Sequence, residues 1–302
     1  MALALTLGPI PYHWSAEEKR DFYARIADEA PVEVVYVGEV ICSKRSPFFD
    51  RELPEVIERL ERAGKKVVLA SLAEVILKRE RAMTAALIES PDHEIEINNN
   101  AGLFHARGRQ HRIGPLINVY NEHTLRFLAA RGATHFTLPA ELPREAVAVL
   151  AAAARDIGVG IEVQVFGRAS LALSARCYHA RAYGRSKDNC QFVCEEHPDG
   201  MPLKTLAGAD FLVINGIQTL SAGYVSLVDR IDELRAIGVG HCRLMPQRID
   251  MVGVAAVFAQ RIGGAIGPDE AAARLLALDL PAPLANGFWH GVAGERRVAA
   301  VP

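Results

Sequence analysis

No stretch of this 302-residue chain stays apolar for the roughly 18 residues that a membrane-crossing helix needs, because Arg, Glu or Asp interrupts every candidate. The opening residues, Met1 to Gly8, lack the cationic start and the longer apolar run of a secretory signal, and they read as a buried strand. Neither sign of charge prevails: 34 Lys and Arg face 36 Asp and Glu, for a net charge of -2. Such a balance gives no general electrostatic reason to bind nucleic acid or an anionic membrane. The short basic runs Lys44-Arg45 and Arg107-Gly108-Arg109-Gln110-His111-Arg112 are expected to be solvated loop charge. Neither the His-Glu-x-x-His helix motif of metallopeptidases nor the Gly-x-Ser-x-Gly elbow of serine hydrolases occurs. Cysteine is scarce, with five residues. A disulfide framework belongs to oxidising compartments and to small domains short of core, whereas this chain is half hydrophobic and long enough for a large core. A soluble, cytoplasmic protein in a reducing compartment is the expectation.

What the sequence does have is alternation of short β-branched runs with helical patterns, the mark of βα units and a mainly parallel sheet. Strands are expected at Leu3 to Leu7, Val32 to Val37, Lys66 to Ala70, Glu94 to Asn98, Leu116 to Tyr120, His135 to Pro139 and Ile161 to Val165. His241 to Met245 is an eighth. Helices are expected at Ser15 to Glu29, opened by a Ser15/Glu18 capping box, and at Asp50 to Ala63, Leu72 to Ser90, Glu122 to Arg131, Pro143 to Arg155 and Tyr224 to Ile237. This rhythm predicts an α/β fold, a TIM-barrel-like (β/α)8 forming one domain over 1–302, with the segment 171–218 inserted after the seventh strand. An open doubly wound sheet is the alternative.

The thiols are the chemistry-bearing feature. Cys42 follows the second strand, while Cys177, Cys190 and Cys194 crowd into the insertion; on a barrel both regions lie at the C-terminal face, where barrel enzymes keep their active sites. Four thiolates suit an iron-sulfur cluster or a structural zinc. Only Cys190-x3-Cys194 has the close spacing of a zinc module, and unrelated buried thiols are the bland alternative. A nucleophilic cysteine is normally single and paired with an activating His; His179 reads as a neighbour of the metal or a loop residue. Cys242 reads as a small buried hydrophobe. Asn98-Asn99-Asn100 either lines a pocket or turns the chain, and Arg261 to Gly267 reads as a loop.

Leu7-Gly8-Pro9, Gly38 to Arg45, Ile117 to Asn121 and Cys177-x12-Cys190-x3-Cys194 together resemble the ubiquinone-biosynthesis members of the collagenase-like (U-type) peptidase family, over nearly the whole chain. The resemblance implies a 4Fe-4S cluster held by Cys42, Cys177, Cys190 and Cys194. It also implies oxygen-independent hydroxylation of a prenylated aromatic ubiquinone precursor, a heterodimer with a UbiU-like paralogue and a UbiT-like lipid-binding accessory protein. Without a protease constellation, peptide cleavage is not expected.

Overall fold

Along the first strand, Leu5 and Leu7 join the large core between sheet and helices, whereas Thr6 points the other way and bonds the Glu162 carboxylate. The same two-residue alternation recurs around a closed sheet, described by a computed structural model over residues 3–90 and 92–299. Met1 and Ala2, the start of the run read as a strand, lie outside the described residues, as does 300–302 of the expected domain.

The chain runs β1 (Ala4–Leu7), α1 (Ala16–Glu29), β2 (Val34–Val37), α2 (Leu53–Arg62), β3 (Lys66–Ala70), α3 (Lys78–Glu89), β4 (Glu94–Ile97), α4 (Asn100–Ala106) and β5 (His111–Ile113). It continues through α5 (Glu122–Ala129), β6 (Ala133–Thr137), α6 (Arg144–Ile157) and β7 (Gly160–Gly167). An insertion then carries β8 (Ser170–Leu173), α7 (Tyr178–Ala182), β9 (Met201–Lys204), β10 (Asp210–Asn215) and β11 (Gln218–Ser221). The remainder is β12 (Tyr224–Ser226), α8 (Ile231–Ile237), β13 (His241–Leu244), α9 (Met251–Ile262), α10 (Pro268–Leu276) and β14 (Leu284–Ala285). Strands β1 to β7 pair in order and in parallel, and β13 pairs in parallel with both β7 and β1. The eight close into a TIM-barrel-like (β/α)8, with helices around the outside. After the seventh strand the insertion folds as a separate four-stranded antiparallel sheet, ordered β8-β11-β10-β9.

Local chemistry sets the helix starts. The Ser15/Glu18 capping box forms in both directions at 3.1 Å, Asn99 caps α4 and Asn121 caps α5, each accepting at 2.8 Å from a first-turn N–H.

Three expectations are corrected. The fifth strand is His111–Ile113 rather than Leu116 to Tyr120: Pro115 opens a single 3-10 turn, and Asn118 takes a left-handed φ of 60°. That strand escaped notice because its inward residue, Arg112, is charged. The helix after β3 begins at Lys78 rather than Leu72, since the Glu80 carboxylate accepts from the Ile76 and Leu77 amides and fixes the first turn there. Tyr224 to Ser226 is a strand, antiparallel to β7, and the helix runs only over Ile231–Ile237.

Candidate functional site

Inside the barrel several inward positions carry charge. Glu162 sits at the centre with no exposed surface; it accepts from Tyr36 Oη at 2.7 Å and Thr137 Oγ1 at 3.0 Å, and pairs with Arg243 at 2.9 Å. His135 Nε2 lies 3.0 Å from the same carboxylate. Arg243 bridges to Glu96 as well and lies over the Tyr36 ring at 3.8 Å, while Arg112 Nη1 donates to Tyr36 Oη at 2.7 Å. Burial raises the Glu162 carboxyl, yet Arg243 and the bond to His135 outweigh it and hold the group well below the usual carboxylate range. At the opposite end His241, packed edge-on to His135, is pushed down to about 4 by burial and by that neighbour.

Above this network the C-terminal mouth opens into a cavity with about 770 Å³ of open space. Glu96, Asn98, Thr137 and Arg243 form its polar floor, and Pro9, Pro11, Pro139 and Met245 are among its apolar walls. Asn98 therefore lines a pocket while its neighbour Asn99 turns the chain into α4, so both readings of that run hold. The interior charges were missed by sequence reasoning. Their only signal was a charge at alternate positions, as in Glu94-Ile95-Glu96-Ile97, with no partner identifiable from spacing.

A second cavity, with about 390 Å³ of open space, is lined by Cys42, Cys177, Cys190 and Cys194 together with Lys44, Arg45, His179 and Lys187. Three separate pieces of chain meet there. Gly38, at a φ of +130°, ends β2 where a side chain would strike the Ala70 carbonyl at 2.7 Å. Glu39 Oε1 then accepts from the Ile41 and Cys42 amides, both at 2.9 Å, and coils the loop so that Cys42 faces the pocket. Cys177 caps α7, its sulfur accepting from the Ala180 amide at 3.4 Å. Between Cys190 and Cys194, Gln191 and Phe192 both adopt left-handed φ, at 49° and 52°, a strain of about 1–2 kcal/mol each.

Arg45 is buried at 1% exposure, which corrects its reading as solvated charge; Arg112, at 6%, is corrected likewise, while Arg107 and Arg109 are exposed as expected. Arg45 donates to the Pro11 carbonyl at 2.9 Å and to Asn215 Oδ1 at 3.1 Å. Lys44 Nζ donates to the carbonyls of Lys187 and Asp188 and lies 3.7 Å from Cys190 Sγ. Burial pushes the Cys42, Cys177 and Cys194 thiols up, and Arg45 acts against it at all three. Cys242 stands apart on β13, unexposed in the outer core, its thiol pushed up to about 12 by burial. His179 is not a solvent-facing loop residue: it is fully buried on α7, and burial pushes it down to about 4.

The cavities share a wall. Ile41 faces the barrel mouth and Cys42 the thiols; Gln218 faces the mouth and Ile217 the thiols; Arg45 and Asn215 lie between.

The sequence model of Peptidase family U32 matches residues 14–260. The chain belongs to peptidase family U32. Solved structures similar to this U32 chain include an uncharacterized B. cereus protein, 12% identical at a TM-score of 0.41, covering 81% of this chain. This chain spans 61% of that one's length. Another is phospho-2-dehydro-3-deoxyheptonate aldolase from Thermotoga maritima, 12% identical at 0.42, with 93% of this chain and 71% of that one covered. A conserved protein from Geobacillus kaustophilus is 14% identical at 0.30, with 90% and 99% covered. At these values the likeness carries no argument about chemistry.

Among the described residues no three His, Cys, Asp or Glu side chains are grouped as a single ion requires. A tetrahedral zinc with Zn–S of about 2.3 Å would crowd its sulfurs to roughly 3.8 Å. A 4Fe-4S cluster places each cysteine on a separate iron and needs a cavity ringed by thiols. Four thiols around one cavity, with Lys44, Arg45 and Lys187 beside them to balance negative charge, are donors that suit such a cluster. Among the described residues no helix is long and apolar enough to cross a membrane.

Proposed function

We propose that this chain is a UbiV-like member of family U32: the iron-sulfur subunit of an oxygen-independent hydroxylase of ubiquinone precursors, acting in the cytoplasm as a heterodimer with a UbiU-like paralogue. The observation that carries the reading is the four thiols from distant segments facing one pocket that backs onto the barrel mouth. Support comes also from membership of the family and from the sequence pattern around each thiol.

Cys42, Cys177, Cys190 and Cys194 would hold a 4Fe-4S cluster. Bound there, with four protein thiolates and no open iron, it supplies electron transfer rather than Lewis-acid chemistry. Arg45 keeps a positive charge beside the thiolates and, with Asn215, closes the partition between the two cavities. The barrel mouth offers apolar walls for an aromatic ring and a prenyl chain, and a floor of fixed charges whose geometry does not depend on solvent. A UbiT-like protein would deliver the lipid-tailed precursor.

The test is anaerobic co-expression with the paralogue, followed by iron and sulfide determination and incubation with a prenylated phenol in water together with a two-electron acceptor, which takes up the electrons that ring hydroxylation with a water-derived oxygen releases. About four irons and four sulfides per chain and a hydroxylated product are expected. Zinc without sulfide, or cleavage of peptides by the same preparation, would favour respectively a metal-ordered scaffold and a peptidase.

A further inference from the structure

His179 has no exposed surface, and among the described residues neither of its ring nitrogens has a hydrogen-bond partner. Its ring stacks on Tyr183 at 6.2 Å and lies 5.0 Å from the ring of His197, yet Tyr183 Oη and His197 Nε2 bond one another at 2.8 Å and leave His179 unserved. The backbone amide of His179 reaches the Gly216 carbonyl at 3.4 Å, which anchors the residue without using the ring. Gly216, in the turn between β10 and β11, has φ +62° and passes so close to Arg45 that a Cβ would lie 3.0 Å from Nη2. The ring is thereby held against the pocket that the four thiols line.

An imidazole always carries at least one N–H, and a buried donor left unpaired costs about 1–3 kcal/mol. No group among the described residues relieves that cost; an acceptor inside the pocket would. Thiolate and inorganic sulfide are such acceptors, and an N–H aimed at sulfur favours the more negative, reduced state.

We propose that His179 donates an N–H hydrogen bond to a sulfur of the group in the thiol pocket and so raises its reduction potential. The inference rests on the reading that an iron-sulfur cluster fills this pocket. His179 is a tuning residue and not a ligand.

The test uses the anaerobically purified full chain with its paralogue, a dithionite titration followed by visible absorbance and electron paramagnetic resonance, and iron and sulfide counts. Wild-type protein without sulfide would overturn the cluster reading itself, before any variant is made. With the cluster present, His179→Phe should keep full iron and sulfide. Its ratio of reduced to oxidised protein at a fixed potential should fall about tenfold, equivalent to about 59 mV for one electron. His179→Gln, which retains an N–H, should recover at least half of that shift. An unchanged potential in His179→Phe would overturn the proposal, and so would loss of iron to the level of a cysteine variant, since His179 would then be a ligand.

Discussion

Arg45 Nη2 lies 3.1 Å from Asn215 Oδ1, and this contact ties the loop after β2 to the hairpin inserted after β7. Both side chains also converge on the Pro11 carbonyl, at 2.9 and 2.7 Å, so one backbone oxygen collects the two pieces that carry thiols. The buried Arg45 guanidinium is supported by the Pro11 carbonyl, by Asn215 Oδ1 and by the neighbouring Cys194 sulfur.

Removing the amide should therefore loosen the pocket. Asn215→Ala is expected to cost about 1–3 kcal/mol, the cost of leaving a buried polar partner unsatisfied. Urea unfolding measures that loss, and labelling by a thiol reagent should become faster at Cys42 and Cys194 in the apo protein while Cys242 stays unreactive. Equal labelling rates in both proteins would show that the contact does not organise the pocket.

Cysteine substitutions should separate into two classes. Cys42→Ala, Cys177→Ala, Cys190→Ala and Cys194→Ala should each lose most of the iron bound under anaerobic purification. Cys242→Ala should keep it, because that thiol lies in the outer core, and should show only a small loss of stability, on the order of 1 kcal/mol for a small core truncation. Iron loss in Cys242→Ala at normal stability would contradict the placement.

The outward faces of the barrel were legible in the sequence because Leu5, Leu7, Ile95 and Ile97 keep a two-residue apolar period. The insertion was legible because it breaks that rhythm, and the thiols because cysteine is rare and clustered. The inward charges were not legible as a unit: Glu162 meets Tyr36, 126 residues away in sequence, and Arg243, 81 away. Nor could spacing reveal that Arg45 is buried, since Asn215 is 170 residues distant. The strand His111–Ile113 was overlooked for the related reason that a residue facing a charged interior looks like a residue facing water.

Acid should attack the barrel from within. His241 is held near 4, below its unfolded value of about 6.5, so the unfolded chain gains a proton first and stability falls as pH drops between those values. Glu162 is held below its unfolded value of about 4.3, so its contribution, present above that value, is lost at still lower pH. Urea midpoints across this range should decline in wild type, and His241→Gln should make the upper part of the decline shallower, with the remainder left to His179 and His13, which burial also holds low. Glu162→Gln leaves Arg243 with Glu96 as its remaining carboxylate and should cost about 1–3 kcal/mol near neutral pH. A wild-type midpoint independent of pH between about 6.5 and 4 would sink this account.

Association with the paralogue should be separable from cluster binding. Co-expressed chains should elute together on size exclusion, and the single chain should lack hydroxylase activity. Full activity from the purified single chain would overturn the heterodimer reading.

The proposed oxygen-independent hydroxylation has a cellular consequence. A deletion strain should lose ubiquinone only under anaerobic growth, and the restored gene should rescue it. Cys177→Ala should fail to rescue even where the protein accumulates normally, because Cys177 anchors α7 against the thiol pocket and supplies one of its four sulfurs. The variant chain must be quantified in the same cells, so that loss of function is not confused with loss of protein. Asn215→Ala should give an intermediate phenotype, since it loosens the pocket without removing a sulfur. Unchanged ubiquinone in the anaerobic deletion strain, or full rescue by Cys177→Ala, would detach the thiol pocket from this function and favour a noncatalytic scaffold.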